Sequence, residues 1–348
     1  MDQRRSVLAA TGGIFVLFLL VQVGTLALVE PFEASGLQPD VDHGDPTNSL
    51  LYVGAILVAT AFMLLAFKFE VANLVRGLIV FSGAYVAVFV FRVVIPPLFV
   101  VANLHALAWL AGILLGLALW FYPEWYVVDA AGVVMGIAAA ALFGITFGVL
   151  PALVLLVVLA VYDAISVYRT EHMLTLAGGV MEMRVPIVLV VPLSISYSFL
   201  DADLPDPTAE GEGEEDDKEA VDREAEAVGE AEEAEEASAE VPAAVERDAL
   251  FIGLGDAVIP TVLVASAAFF APGSPPSLGV PYLAMTLPTL SAMVGTFAGL
   301  AGLLWMVLQG RAHAGLPLLN GGTILGFLAG SVLAGVGLFE ALGLSGFL

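Results

Sequence analysis

Apolar residues run along this chain in long unbroken blocks, not in the alternating or amphipathic patterns of soluble domains. A helix needs about 20 apolar residues to span the hydrocarbon of a bilayer. Such blocks lie at about 7 to 29, 49 to 69, 75 to 95, 102 to 122, 126 to 146, 148 to 168, 249 to 271, 282 to 309 and 317 to 339. They predict nine transmembrane helices, six before a long polar interval and three after it. The strands of a transmembrane barrel alternate over about ten residues, and these blocks are too long and too uniformly apolar for that. The expected fold is an all-α polytopic membrane protein.

Composition agrees: 59% of the 348 residues are hydrophobic and 13% charged, with a mean hydropathy of +0.96, which no soluble domain of this length shows. The first block follows Arg4 and Arg5 as in a signal sequence. It stays apolar for about 23 residues with no small-residue cleavage pattern, so it is expected to be a retained anchor. The absence of cysteine excludes disulfides, iron–sulfur clusters, thiolate zinc sites and a cysteine nucleophile.

Lys and Arg near the ends of spans set orientation. With nine spans and a cytoplasmic N-terminus, Arg4, Arg5, Lys68, Arg76, Arg169, Arg184, Lys218, Arg223, Arg247 and Arg311 all fall inside. Arg92, the remaining cation, lies near the outer end of the third span and can snorkel to the headgroups. The C-terminus is then expected outside. The net charge of −24 is mostly one segment: residues 201 to 248 hold 21 acidic and 3 basic residues, a net of −18. This stretch is nearly free of aromatics and reads as a solvated, disordered cytoplasmic linker. The chain thus divides into a six-helix part (1–170), an intermediate segment (171–200), the acidic linker (201–248) and a three-helix part (249–348).

Residues 181 to 200, MEMRVPIVLVVPLSISYSFL, have an apolar core too short for a span, interrupted by Pro186 and Pro192. They are expected to be interfacial or re-entrant. The run containing Val188, Val190 and Val191 can pair as a strand where protein covers it, because lipid does not tolerate an open strand edge.

Two acids stand inside apolar blocks, Asp163 in LAVYDAIS and Asp256 in FIGLGDAVIP. A charged carboxylate near the middle of a spanning helix costs about 2.5 to 3.5 kcal/mol, so each is a functional-site candidate. At a rise of about 1.5 Å per residue, both sit roughly 10 Å in from the cytoplasmic face. The sixth and seventh spans run antiparallel, so the two side chains meet if those helices are neighbours. Two carboxylates within hydrogen-bonding distance cannot both ionise cheaply and share a proton; one then serves as general base on a water and the other as general acid.

Tyr162-Asp163, Gly253-Leu254-Gly255-Asp256 and a proline motif opening the last span resemble the YD, GxGD and PAL signatures of presenilin and signal peptide peptidase, above all their archaeal homologues. The resemblance extends to the six-and-three layout. It implies intramembrane aspartyl proteolysis of transmembrane substrate helices, with Asp163 and Asp256 catalytic. Tyr162, Gly253 and Gly255 would support the site, and Leu254, Pro317, Leu318 and Leu319 would shape it or bind substrate. No metal or other cofactor is implied. The third motif departs from the family: the stretch reads Gly315-Leu316-Pro317-Leu318-Leu319-Asn320, with Leu318 where the family has Ala. Gly321 and Gly322 next to it permit close backbone approach. A literal PAL at Pro151-Ala152-Leu153 opens the sixth span at the face away from the acids and is assigned to chance.

Blander readings stand beside these. Taken alone, Tyr162 is an aromatic packing in a bundle, Gly253 and Gly255 are helix-packing glycines, and Glu124 and Asp129 are interfacial acids near a span end. The four histidines form no HExxH pair, which argues against a zinc protease. Gly343-Leu344-Ser345-Gly346 matches a serine-protease GxSG, but no histidine follows it to act as base. From a different class, a transporter or channel would use the same two aspartates as a proton or cation relay; inverted repeats would favour it, and the two halves show no convincing similarity. A prepilin-peptidase arrangement would share GxGD without this layout.

On the protease reading a substrate helix enters from the bilayer and unwinds, since helical carbonyls are shielded and already bonded. Its extended segment adds to a strand formed from part of 185 to 191 or from the segment before Leu250. The expected partners are transmembrane helices of substrate proteins and the lipid bilayer, with no nucleic acid; a homo-oligomer is left open. The expected location is multi-pass in the cell membrane.

Overall fold

The computed structural model describes residues 3–36, 47–68, 72–101, 104–169, 184–194, 197–200, 249–309 and 314–344. The acidic linker lies outside them. Before it come α1 (Gln3–Ala34), α2 (Thr47–Lys68), α3 (Ala72–Val94), the short strands β1 (Val100–Val101) and β2 (Leu104–His105), α4 (Ala106–Phe121), α5 (Trp125–Thr146), α6 (Val149–Arg169) and β3 (Val188–Pro192). After it come β4 (Ala249–Gly253), α7 (Leu254–Phe270), α8 (Leu287–Val307), α9 (Gly315–Leu333) and the one-turn α10 (Leu338–Ala341). Among the described residues, six helices (α1, α3, α5, α6, α8 and α9) are long and apolar enough to cross a membrane. Three shorter apolar helices, Leu50–Phe62 within α2, α4 and α7, accompany them.

The apolar blocks and the helices coincide closely except at three places. Residues 249 to 253 open the seventh block as a strand, so the all-α expectation becomes a mostly helical fold with two small antiparallel sheets, β1–β2 and β3–β4. The fourth helix starts at Ala106, because His105 ends a tight strand pair and its Nδ1 accepts from the Ala108 amide at 3.3 Å, capping the helix. The eighth starts at Leu287, where the Thr286 side chain caps the first turn and Pro288 occupies it without wasting a donor.

The β3–β4 ribbon lies inside the helical bundle. Register pairs Val188 with Gly253, Val190 with Phe251 and Pro192 with Ala249. Side chains alternate across it. Leu189 and Ile252 enter a cluster with Ile14 and Phe18 of α1 and with Leu300 and Leu303 of α8. Val190 and Ala249 enter a second cluster with Val75 of α3, Leu119 of α4 and Val128 of α5. The expected strand at 188–191 is therefore present, and protein covers both its faces, as lipid requires.

Helices α8 and α9 pack backbone to backbone. A Cβ added at Gly295 would collide with the Gly322 carbonyl, one at Gly322 with the Gly295 carbonyl, and one at Gly326 with the Ser291 carbonyl. Small residues four apart permit this approach, and between apolar helices in lipid it supplies much of the attraction. Gly322 is thus a helix-packing residue, whereas nothing lies within 4 Å of a Cβ built on Gly321. Thr296 and Thr323 close the same seam with a 2.7 Å hydroxyl hydrogen bond.

Candidate active site

Asp163 lies in the last turns of α6, which packs on α7 and α9. Its side chain is 8% exposed, and its Oδ2 accepts a 3.0 Å hydrogen bond from the Leu316 amide. The backbone of Gly315 donates to it as well. These two amides belong to the first turn of α9, where a helix leaves its N–H groups without intrahelical partners. Pro317 is tolerated in the same turn because its missing N–H is also one of those orphans.

Asp256 occupies the first turn of α7, directly after β4, and is half-buried. Its carboxylate borders the same turn of α9: a Cβ built on Gly315 would lie 3.3 Å from Asp256 Oδ2 and 3.4 Å from Oδ1. Asp163 and Asp256 are close enough to act on each other electrostatically. Gly315-Leu316 is therefore a wedge touching both acids. Only glycine fits at 315 without crowding, because the same Cβ would also press on Leu303 Cδ2 at 3.3 Å.

The other sequence candidates divide. Gly253 caps α7 in extended geometry, and a Cβ there would make ordinary contact with Asp256 Oδ2 at 3.5 Å; at Gly255 the nearest atom would be Ile259 Cδ1 at 3.8 Å. Neither glycine is demanded by packing within the chain. Leu254 is a buried core residue whose amide donates to the Ile187 carbonyl at 2.7 Å, extending the ribbon into the helix. Tyr162 is 37% exposed on α6. Leu319 is fully buried and Leu318 packs against the same cluster as Leu254, so their side chains fill core. The Leu318 carbonyl faces Gly299 so closely that any Cβ at 299 would collide with it. Pro151, Ala152 and Leu153 lie in the first turn of α6, with Ala152 and Leu153 in the core, three turns from Asp163.

Three residues carry more than their sequence context suggested. Asn320, fully buried, donates from Nδ2 to the Leu156 carbonyl at 2.9 Å and fastens α9 to α6 one turn beyond Leu316. Glu124 and Asp129 are buried anchors for the ribbon segment. Asp129 Oδ1 accepts from the Val190 amide at 2.7 Å. Glu124 accepts from the Ser198 hydroxyl at 2.7 Å and the Phe199 amide at 2.9 Å. A polar residue in an apolar block was the available signal for Asn320 and Asp129, whereas Glu124 lies between two blocks and carried none; each partner is remote in sequence.

Taken together, these features are those of a mostly helical polytopic membrane protein with two acids facing one helix N-terminus. Residues 15–336 match the family model described as signal-peptide peptidase, presenilin aspartyl protease, and the chain belongs to that family. Two solved structures, each of a presenilin family intramembrane aspartate protease, are similar along nearly their whole length. One, in space group C222, is 29% identical with a TM-score of 0.55, covering 92% of this chain and 97% of its own. The other, in space group P2, is 30% identical with a TM-score of 0.57 and the same coverage. No curated protein matches the chain. None of these findings favours the proton- or cation-relay reading.

Proposed function

We propose that Asp163 and Asp256 are the catalytic pair of this intramembrane aspartyl protease, hydrolysing peptide bonds within transmembrane segments of membrane proteins. The carrying observation is the contact of one helical turn, Gly315-Leu316, with both carboxyls. One carboxylate takes a proton from a water as it attacks the scissile carbonyl; the other, protonated, donates to the carbonyl oxygen. Collapse of the tetrahedral intermediate passes a proton to the departing amine. The hydrogen bond from Leu316 fixes the orientation of Asp163 for this exchange.

A Cβ at Gly253 or Gly255 would make only ordinary contacts, so nothing in the chain itself requires glycine there, which supports a substrate backbone passing close to Asp256. The β3–β4 ribbon supports recognition by strand addition, in which the unwound substrate joins a sheet ending at the catalytic helix. Counting α2, α4 and α7 with the six longer helices makes nine spans, the six-and-three domain division, a cytoplasmic N-terminus and an external C-terminus. The segment 171–200, of which 184–194 and 197–200 are described, is then interfacial or re-entrant from the cytoplasmic side, and water reaches the acids from there. This orientation favours substrates whose N-terminus is outside, in the cell membrane.

The test is cleavage of single-span substrates by the full chain in liposomes, comparing wild type with Asp163→Ala and Asp256→Ala. Each substitution alone should abolish cleavage. Cleavage that survives either change in a folded protein rejects the pair.

A further inference from the structure

The ribbon has two outer edges, and they differ. The Leu254 amide bonds the Ile187 carbonyl, so these residues form a hydrogen-bonded pair. In an antiparallel ladder such pairs alternate with non-bonded ones. Leu189 with Ile252 and Val191 with Leu250 therefore exchange ladder bonds, while the amides of Val188 and Val190 on β3 and of Phe251 and Gly253 on β4 point outward. On β3, the outward Val190 amide is taken by Asp129, the next outward position is Pro192, which has no N–H, and the Val188 amide at the start of the strand has no hydrogen bond among the described residues. On β4, no hydrogen bond reaches the outward amides of Phe251 or Gly253 among the described residues.

Asp129 is placed for this by its helix. On α5 it shares a face with Gly132 and Gly136, at spacings of three and seven. Gly132 receives the strand closely: a Cβ there would lie 3.0 Å from Leu189 Cδ2 and 3.6 Å from the Pro186 carbonyl. A Cβ on Gly136 would lie 3.2 Å from Leu254 Cδ1. The face that admits β3 by having no side chains thus holds it by one carboxylate, 7% exposed, in an otherwise apolar helix. A buried acid is costly to keep without a hydrogen-bond partner, and strand–helix packing alone does not need it.

We infer that Asp129 is a positioning and specificity-determining residue: by occupying the Val190 amide it closes the β3 edge from Val190 to Pro192 and holds the ribbon in register, leaving β4, three residues before Asp256, as the longer open edge, which a substrate strand joins. This rests on the proteolytic reading above. Without that hydrogen bond β3 presents a competing donor edge and the ribbon is free to slip, and a slip of the template moves the bond presented to the acids.

The experiment uses the full chain in liposomes with a single-span substrate, product masses by mass spectrometry, and KM and kcat separately. Asp129→Ala removes the acceptor. Val190→Pro removes the same hydrogen bond from the other side and costs no ladder bond, because Val190 is in a non-bonded pair with β4. Both should move or broaden the cleavage sites and raise KM several-fold with a smaller change in kcat. The double variant should be no worse than the more affected single, since both delete one interaction. Asp129→Asn keeps an acceptor oxygen and should restore the wild-type sites. Unchanged products and KM in folded variants, a uniform fall in rate with unchanged products, or additive effects in the double variant would each overturn the inference while leaving the protease reading intact. If Asp129→Ala does not fold, Val190→Pro decides alone. A wild type that cleaves nothing removes the protease reading and this inference with it.

Discussion

The Leu316 amide donates to Asp163 Oδ2 at 3.0 Å across 153 residues of sequence, making the start of α9 a structural part of the α6 acid site. Leu316→Pro deletes that N–H together with a leucine side chain packed against the core, at a first-turn position where proline fits a helix. A hydrogen bond to a charged acceptor is worth about 1.5–3 kcal/mol, so kcat should fall by roughly ten- to hundred-fold. Thermal unfolding should fall modestly from the lost leucine packing, Leu316→Ala, which keeps the N–H, is the matched control for that loss, and initial-rate kinetics at saturating substrate check the rate.

Gly315 is held by steric exclusion from both Asp256 and Leu303. Gly315→Val should eliminate cleavage, because branched bulk has to displace the carboxylate or the α8 contact. Gly315→Ala should leave partial activity. The order wild type, Ala, Val in specific activity is the readout, and Val activity equal to wild type would contradict the wedge geometry.

Gly255 has room for a methyl group, which would meet Ile259 Cδ1 at an ordinary 3.8 Å. Alanine in the first turn of α7 should stabilise the fold by about 0.5–1 kcal/mol, since glycine is the poorer helix former. Cleavage should fall nonetheless if substrate occupies that space. Melting temperature and activity moving in opposite directions would be the signature, and full activity in Gly255→Ala would place the substrate elsewhere.

The α8–α9 seam depends on Gly295 and Gly322. Gly322→Leu should destabilise by at least about 1–3 kcal/mol through overpacking, seen as a lower unfolding temperature in detergent. Gly302→Leu, on the same α8 but with nothing within 4 Å of its Cβ, is the matched control and should be neutral.

Asn320 fastens α9 to α6 through the Leu156 carbonyl. Asn320→Leu should cost about 1 kcal/mol of stability and shift activity less than Leu316→Pro does. A loss of activity as large as that of Leu316→Pro, without unfolding, would move Asn320 into the site itself.

Much of this architecture is legible in residue order because membrane burial writes itself locally. Each span needs its own apolar block, so Gln3–Ala34, Trp125–Thr146 and Val149–Arg169 can be read to within a few residues. Asp163 and Asp256 stand out for the same reason, as charges where local context offers no partner. The switch from strand to helix at Gly253–Leu254 is hidden, because ALFIGLGDAVIP is equally apolar in either form and only pairing with Val188–Pro192 selects the strand. The motif residues Pro317, Leu318 and Leu319 pointed to the right helix. The atoms that reach Asp163 are the backbone amides of Gly315 and Leu316 just before Pro317, and any residue type but proline carries such an amide.

By itself the sequence determined the number of apolar blocks, the two buried acids and their family signature, since those follow from composition within about 20 residues. Tertiary structure alone decided that one turn of α9 touches both acids, that Asp129 and Glu124 hold the ribbon, and that glycines 295 and 322 join two helices at backbone distance. Those relationships are made by directional hydrogen bonds and by the absence of side chains, between positions far apart in the chain. Hydrophobicity, which acts without direction, leaves no record of them along the sequence.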